Sequence, residues 1–240
     1  MENRIKAIAF DVFGTVVDWH GGISAEAAAL AGRHGIEGDW DRLAADWRAG
    51  YPVMMNRVRN GELPWTRIDG LHRLILDDIA ARHGLGSLPA AELDALNLAW
   101  HRLPAWRDAV PGLTQLKRAF TITTLSNGNF SLLTEMAKRA GLPWDCIISA
   151  ELFHHYKPDP QTYLGCADLL GIAPTELMLA ACHPEDLRAA RQHGLRTAYI
   201  TRPHEHGRQA RLPVVEEGEF DFFADDIVDL ARQMELGGRQ

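Results

Sequence analysis

The sequence predicts an α/β fold in which a doubly wound, largely parallel sheet is interrupted by an inserted helical cap, and three observations lead there. Short apolar or β-branched runs alternate with helical patterns through the second half of the chain. Each of those helical patterns has Pro or Asn near its start and Gly just past its end. Residues 20–110, by contrast, hold helical stretches and little that reads as strand.

The strand candidates are 5–10 (IKAIAF), 120–125 (FTITTL), 146–149 (CIIS), 177–181 (LMLAA) and 197–200 (TAYI), each ended by polar or turn residues. Between the later ones lie helical patterns at 129–140, 160–170 and 184–193, closed by Gly141, Gly171 and Gly194. Ligands of such sheets sit beyond the carboxyl ends of the strands, where Asp11, Ser126 and His183 all fall. Helical stretches at about 24–34, 40–60, 66–84 and 89–102 make residues 19–107 the cap, leaving 1–18 and 108–240 as the core. Six tryptophans (Trp19, Trp40, Trp47, Trp65, Trp100, Trp106) fall in or beside that cap; most are expected to pack it, and one or two could line a pocket where cap meets core.

A chain of 240 residues can bury a self-sufficient core. Its three cysteines lack C-x-x-C spacing, which argues against a disulfide framework or structural zinc and fits a reducing compartment. The opening "MENRIKAIAF" has no signal-peptide pattern, and no apolar run is long enough to span a bilayer, so a soluble cytoplasmic protein is expected. The net charge of -7, with basic residues dispersed, speaks against nucleic acid and anionic membranes as partners. A small anion can still be bound where a few cations converge.

Asp11 is the residue that most needs a use, because a carboxylate between a buried strand and a turn costs stability unless paired. Its segment "FDVFGT" is followed in order by "LSNG" (125–128), "YKPDPQTY" (156–163) and "ACHPEDLRAA" (181–190). Together these pieces resemble the haloacid dehalogenase superfamily over nearly the whole chain, helical insertion included. The resemblance implies a Rossmann-like core and a covalent role for Asp11. Phosphatases of the superfamily carry a second Asp two residues on, where this chain has Phe13, and further acidic residues for magnesium, where it reads "AACHPED". Those departures match the 2-haloacid dehalogenase branch, which works without metal or other cofactor.

Carried over residue by residue, the resemblance makes Asp11 the nucleophile, Thr15 the turn hydroxyl and Arg48 the cap arginine that receives the leaving halide. Ser126 and Asn127 match the motif that binds substrate carboxylate and halide, with Phe13 beside them; Lys157, Tyr163 and Asp186 keep the family's spacing. Two positions depart from the family's Ser and Asn: Ala181 and His183. The implied reaction converts short 2-haloalkanoic acids, such as haloacetate and L-2-halopropionate, to 2-hydroxy acids through an Asp11 ester. Physical chemistry agrees in outline: the nucleophile must be ionised, and Lys157 is the cation that could keep it so. Water activation falls to Asp186 or to His183, whose ordinary pKa of about 6.5 suits base work. His183 is further read as the mark of a subgroup that accepts fluoride as leaving group. The expected partners are the small acid and its halide, and the resemblance is compatible with a homodimer.

Plainer readings stand beside these. Arg48 could be a solvated helix residue, Lys157 the end of a loop, Tyr163 a core residue, and Ser126–Asn127 ordinary turn chemistry. "RPHEHGR" (202–208) lacks a confirming third metal ligand and reads as loop, and Cys182 is expected to point away from His183 as a small buried residue. The rival functions are a phosphohydrolase of the same superfamily and a non-catalytic binding protein on the same fold.

Overall fold

The computed structural model describes residues 4–207 and 213–237. The chain falls into two compact units, one made of Met1–Asp18 with Ala105–Gln240 and the other of Trp19–Pro104. β1 (Ala7–Phe10) opens the first unit, and α1 (Trp19–Arg33), α2 (Trp40–Arg59), α3 (Ile68–Ala80) and α4 (Ala90–Asn97) form the second. The chain then runs through α5 (Ala109–Leu116), β2 (Thr121–Thr124), α6 (Phe130–Ala140), α7 (Pro160–Leu169) and β3 (Leu177–Ala181). It ends with α8 (Pro184–Gln192), β4 (Arg196–Ile200), β5 (Phe222–Ala224) and α9 (Ile227–Gly237).

The first unit carries a five-stranded sheet, parallel throughout, in the order β2-β1-β3-β4-β5. Helices on both faces explain why β1 and β3 are apolar at every position rather than alternating: all their residues are buried. Phe10 lies opposite Thr124 on one side and Ala180 on the other, so the ends of β2, β1 and β3 are nearly level. The strand order reverses at β1, which places the crevice of this fold beyond the ends of β1 and β3.

The structure corrects one expectation and adds two elements that the sequence pattern did not reveal. Residues 146–149 do not form a strand but two isolated bridges, Thr123 with Cys146 and Ser126 with Ser149. Thr124 Oγ1 accepts from Ile148 N at 3.0 Å and donates to Ile148 O at 2.9 Å, so a side chain replaces the ladder there. β5 went unanticipated because its three residues sit among acidic ones; Asp221 ties it to β4 by accepting from Thr197 N at 2.8 Å. α5 was hidden by Pro111 and Gly112, and the glycine serves close packing: a Cβ there would stand 2.6 Å from the Ile227 backbone of α9.

In the second unit Trp19, Trp47 and Trp100 are fully buried. Trp100 stacks on His72 at 4.1 Å, and Trp47 Nε1 donates to His72 O at 2.9 Å. Burial pushes the His72 imidazole down to about 3, which makes it a neutral member of this aromatic core. Trp106 is not part of that bundle; it belongs to the first unit, where its Nε1 donates to Gly14 O at 2.7 Å. Among the described residues no helix is long and apolar enough to cross a membrane.

Candidate active site

Asp11 follows the last residue of β1, and its backbone N–H donates to Ala180 O at 3.0 Å, which fixes the turn against β3. Gly14 then takes φ +87°, a left-handed value that favours glycine, and returns the chain so that Thr15 faces back toward Asp11. Thr15 Oγ1 donates to Asp11 Oδ2 at 2.9 Å and accepts from Cys182 N at 2.9 Å. One hydroxyl thereby joins the turn after β1 to the turn after β3.

Lys157 comes from the loop ahead of α7 and is 7% exposed. Its Nζ donates to Asp11 Oδ1 at 2.9 Å and to Asp186 Oδ2 at 2.5 Å, while Tyr163 OH donates to Asp186 Oδ1 at 2.6 Å. Asn127 Oδ1 accepts from Lys157 N at 2.7 Å, so the loop after β2 holds the lysine's backbone. Ser126 is buried, its Oγ accepting from Gly128 N at 3.2 Å, and Phe13 is buried with its ring against Gly128.

Burial opposes the charge on Asp11, but Lys157 and the hydrogen bonds to His183 and Lys157 outweigh it, and the carboxyl lies far below the usual range. The same balance holds Lys157 above the usual lysine range, through Asp11 and Asp186. Burial, reinforced by Asp186, keeps Tyr163 a phenol. The nucleophile candidate is therefore ionised without any base having to act.

His183 departs most from its sequence expectation. Its Nδ1 lies 3.0 Å from Asp11 Oδ2 and its Nε2 lies 2.8 Å from Glu205 Oε1. Burial disfavours the imidazolium, yet the hydrogen bonds to the Asp11 and Glu205 carboxylates raise its pKa well above 6.5 rather than leaving it ordinary. Cys182 also differs from expectation, because its Sγ stands 3.7 Å from His183 Nε2. β3 ends at Ala181, and His183, its backbone still extended, is the cap residue ahead of α8. Burial pushes the Cys182 thiol up, which leaves it a protonated neighbour.

Glu205 was missed. The segment 202–207 is loop as expected, and Arg208 lies outside the described residues, but Glu205 is buried and turned into the site. A readable signal existed: the loop follows β4, and in a parallel sheet every such loop emerges at the end where Asp11 lies. Arg202 in the same loop donates through Nε to Thr15 O at 2.8 Å and clamps Asp108 with two bonds of 2.8 and 2.7 Å.

Arg48 belongs to the second unit, on α2, with its guanidinium 4.5 Å from the Tyr51 ring centroid and 5.7 Å from that of Trp19. Its Nη1 is buried and finds no hydrogen-bond acceptor among the described residues.

The residues present do not fit magnesium, the ion that the sequence resemblance associates with phosphatases. An ammonium already bridges Asp11 and Asp186, and the position two residues after Asp11 is the buried Phe13. Cys182, His183 and Glu205 bring a sulfur, a nitrogen and an oxygen within 4.8 Å of one another. The 2.8 Å between Nε2 and Oε1 is a hydrogen bond, shorter than the separation of about 3.3 Å that ligands on one tetrahedral zinc would keep.

A family model for haloacid dehalogenase-like hydrolases matches residues 5–194. (S)-2-haloacid dehalogenase 1 from Pseudomonas sp. (strain CBS-3) is 31% identical over 208 residues, covering 82% of this chain and 85% of the relative. The crystal structure of a defluorinating L-2-haloacid dehalogenase superposes with a TM-score of 0.93 at 46% identity, covering 96% of this chain and 95% of the other. A second L-2-haloacid dehalogenase structure gives 0.89 at 44% identity, covering 96% and 99%.

Proposed function

The chain belongs to the haloacid dehalogenase-like hydrolases and, within them, to the (S)-2-haloacid dehalogenases; from that premise we propose that it hydrolyses the carbon–halogen bond of short 2-haloalkanoic acids, haloacetate and L-2-halopropionate among them, without a metal. An Asp11 oxygen attacks C2, the new C–O bond forms as the carbon–halogen bond breaks, and the electron pair leaves with the halide. Water then adds to the Asp11 carbonyl carbon, the bond from that carbon to the substrate oxygen breaks, and a 2-hydroxy acid departs. The oxygen delivered to the product comes from the side chain.

The observation that carries this reading is Lys157 joining Asp11 and Asp186 in a buried site. A bare carboxylate held ionised by a fixed cation is what a displacement at carbon requires, and it needs no acid to protonate a leaving halide. Arg48 is assigned the reception of that halide; its buried Nη1 lacking an acceptor supports this. Ser126 and Asn127, with Phe13, are assigned the substrate carboxylate and halide, Thr15 and Lys157 the orientation of Asp11, and Tyr163 and Asp186 the support of Lys157. Of the two candidate bases, His183 meets Asp11 directly, with Nδ1 3.0 Å from Oδ2, whereas both oxygens of Asp186 are engaged by Lys157 and Tyr163. Similarity to a relative named as defluorinating supports extending the substrates to fluoroacetate.

The phosphohydrolase alternative loses support from Phe13, which stands where a leaving-group acid would be needed. A purely binding role does not call for a carboxylate ionised under burial. The test is halide release from chloroacetate and L-2-chloropropionate in EDTA, run beside phosphate release from an aryl phosphate with magnesium. Halide release that survives EDTA and vanishes in Asp11→Asn is the expected result; magnesium-dependent phosphate release without halide overturns the proposal.

A further inference from the structure

Glu205 has no part in the assignments above, yet its surroundings are built around it. It is 5% exposed, with Oε1 2.8 Å from His183 Nε2, and Oε2 3.5 Å from Cys182 Sγ and 3.4 Å from His206 Nε2. The bare Cα of Gly14 leaves it room, because a Cβ there would lie 2.3 Å from Oε1. A carboxylate buried this far costs free energy unless it is paired, and its partner is the residue beside the nucleophile.

We propose that Glu205 is a positioning residue for ester hydrolysis: it holds the Nε2–H of His183 and so leaves Nδ1, the nitrogen facing Asp11, as the proton acceptor for the attacking water. The role rests on the Asp11 ester of the preceding section. In the free enzyme each ring nitrogen has its own carboxylate, and the imidazolium suits both. Alkylation turns Asp11 into a neutral ester, so Nδ1 loses its anionic partner while Glu205 keeps Nε2–H. The Nδ1 proton passes to solvent, which reaches the 26%-exposed side chain, and the remaining tautomer has its lone pair directed at the ester.

Protons then balance around one nitrogen. Water adds to the Asp11 carbonyl carbon and gives one proton to Nδ1. As the bond from that carbon to the substrate oxygen breaks, Nδ1 returns this proton to the departing oxygen and the 2-hydroxy acid forms. The new Asp11 carboxyl gives its proton to Nδ1, which restores the starting pair. Cys182 also touches His183, Lys157 reaches it through Asp11, and His206 lies behind Glu205; in the first turn of α8, Glu185 pairs with Arg188 and Asp186 with Lys157.

Rapid quenching of Glu205→Gln with L-2-chloropropionate, following halide and hydroxy acid separately with intact mass of the protein, tests this. A general base is worth roughly 10²–10⁴-fold, so loss of its orienting partner should slow hydrolysis at least about tenfold more than the halide burst. The covalent adduct should accumulate, and Glu205→Asp should recover part of the hydrolysis. Unchanged hydrolysis, or equal slowing of burst and hydrolysis, overturns the role. A wild-type protein that releases no halide sinks the dehalogenase reading itself, and the positioning role with it.

Discussion

Lys157 Nζ lies 2.9 Å from Asp11 Oδ1, from 146 positions away in the chain, with both residues under a tenth exposed. Burial alone would raise the Asp11 pKa, and the ammonium reverses that. Lys157→Met keeps the side-chain stem and deletes the charge. We expect kcat/KM at pH 7 to fall by at least about 10²-fold and the acid limb of the pH profile to move upward, since Asp11 would then protonate more readily. Halide release measured across pH checks both; an unmoved acid limb would mean that Lys157 does not set the nucleophile's charge.

A second, part-buried pair holds the same turn. Arg202 grips Asp108 with two bonds and also donates to Thr15 O, while Asp108 accepts from Ile227 N at 2.9 Å. Breaking a buried pair costs about 3–5 kcal/mol, less where water reaches a partner, so Arg202→Ala should lose about 2–3 kcal/mol in urea unfolding. Burial works against ionised Asp108, but Arg202 and the backbone depress its pKa nonetheless. That contribution is present above the unfolded value near 3.9 and is lost as pH falls through the folded one, so the variant should show a flatter acid dependence of stability.

The sheet was legible because burial on both faces forces unbroken apolar runs such as LMLAA, and the helices because their ends are punctuated. What escaped was decided by contacts remote in sequence. Residues 146–149 look like a strand, but Thr124 takes over their pairing; α5 is masked by Pro111 and Gly112, and that glycine admits Ile227. In the site, Asp11, Lys157, Tyr163 and Asp186 stood out because each sits in a motif at fixed spacing. Glu205 has no such spacing, and the raised pKa of His183 depends on contacts to Asp11 and Glu205 that are remote in sequence, so neither could be read from the chain locally.

Gly14 links the nucleophile's turn to Glu205, and Gly14→Ala tests the link. A methyl group would meet the Glu205 carboxylate, and φ +87° adds a backbone cost of about 1–2 kcal/mol for any L side chain. Thermal unfolding should show reduced stability, and ester hydrolysis should slow as Glu205 is displaced from His183. Wild-type stability and turnover in this variant would show that the turn has room the present packing denies.

His183 joins stability and turnover through one ring. Because its folded pKa is raised, its stabilising contribution is fully present below the unfolded imidazole value near 6.5 and is lost as pH rises through the folded value. His183→Asn should therefore flatten the alkaline fall in stability while leaving the acid side governed by carboxylates. The same variant removes the acceptor at Nδ1, 3.0 Å from Asp11, so halide should still be released once per site while the ester persists. Denaturation followed against pH and the mass of protein quenched after one turnover separate the two effects. If the alkaline limb flattens but no ester accumulates, His183 acts as a structural cation and the water is activated elsewhere; if the ester accumulates without a change in that limb, the ring is a base whose charge in the free enzyme does not stabilise the fold.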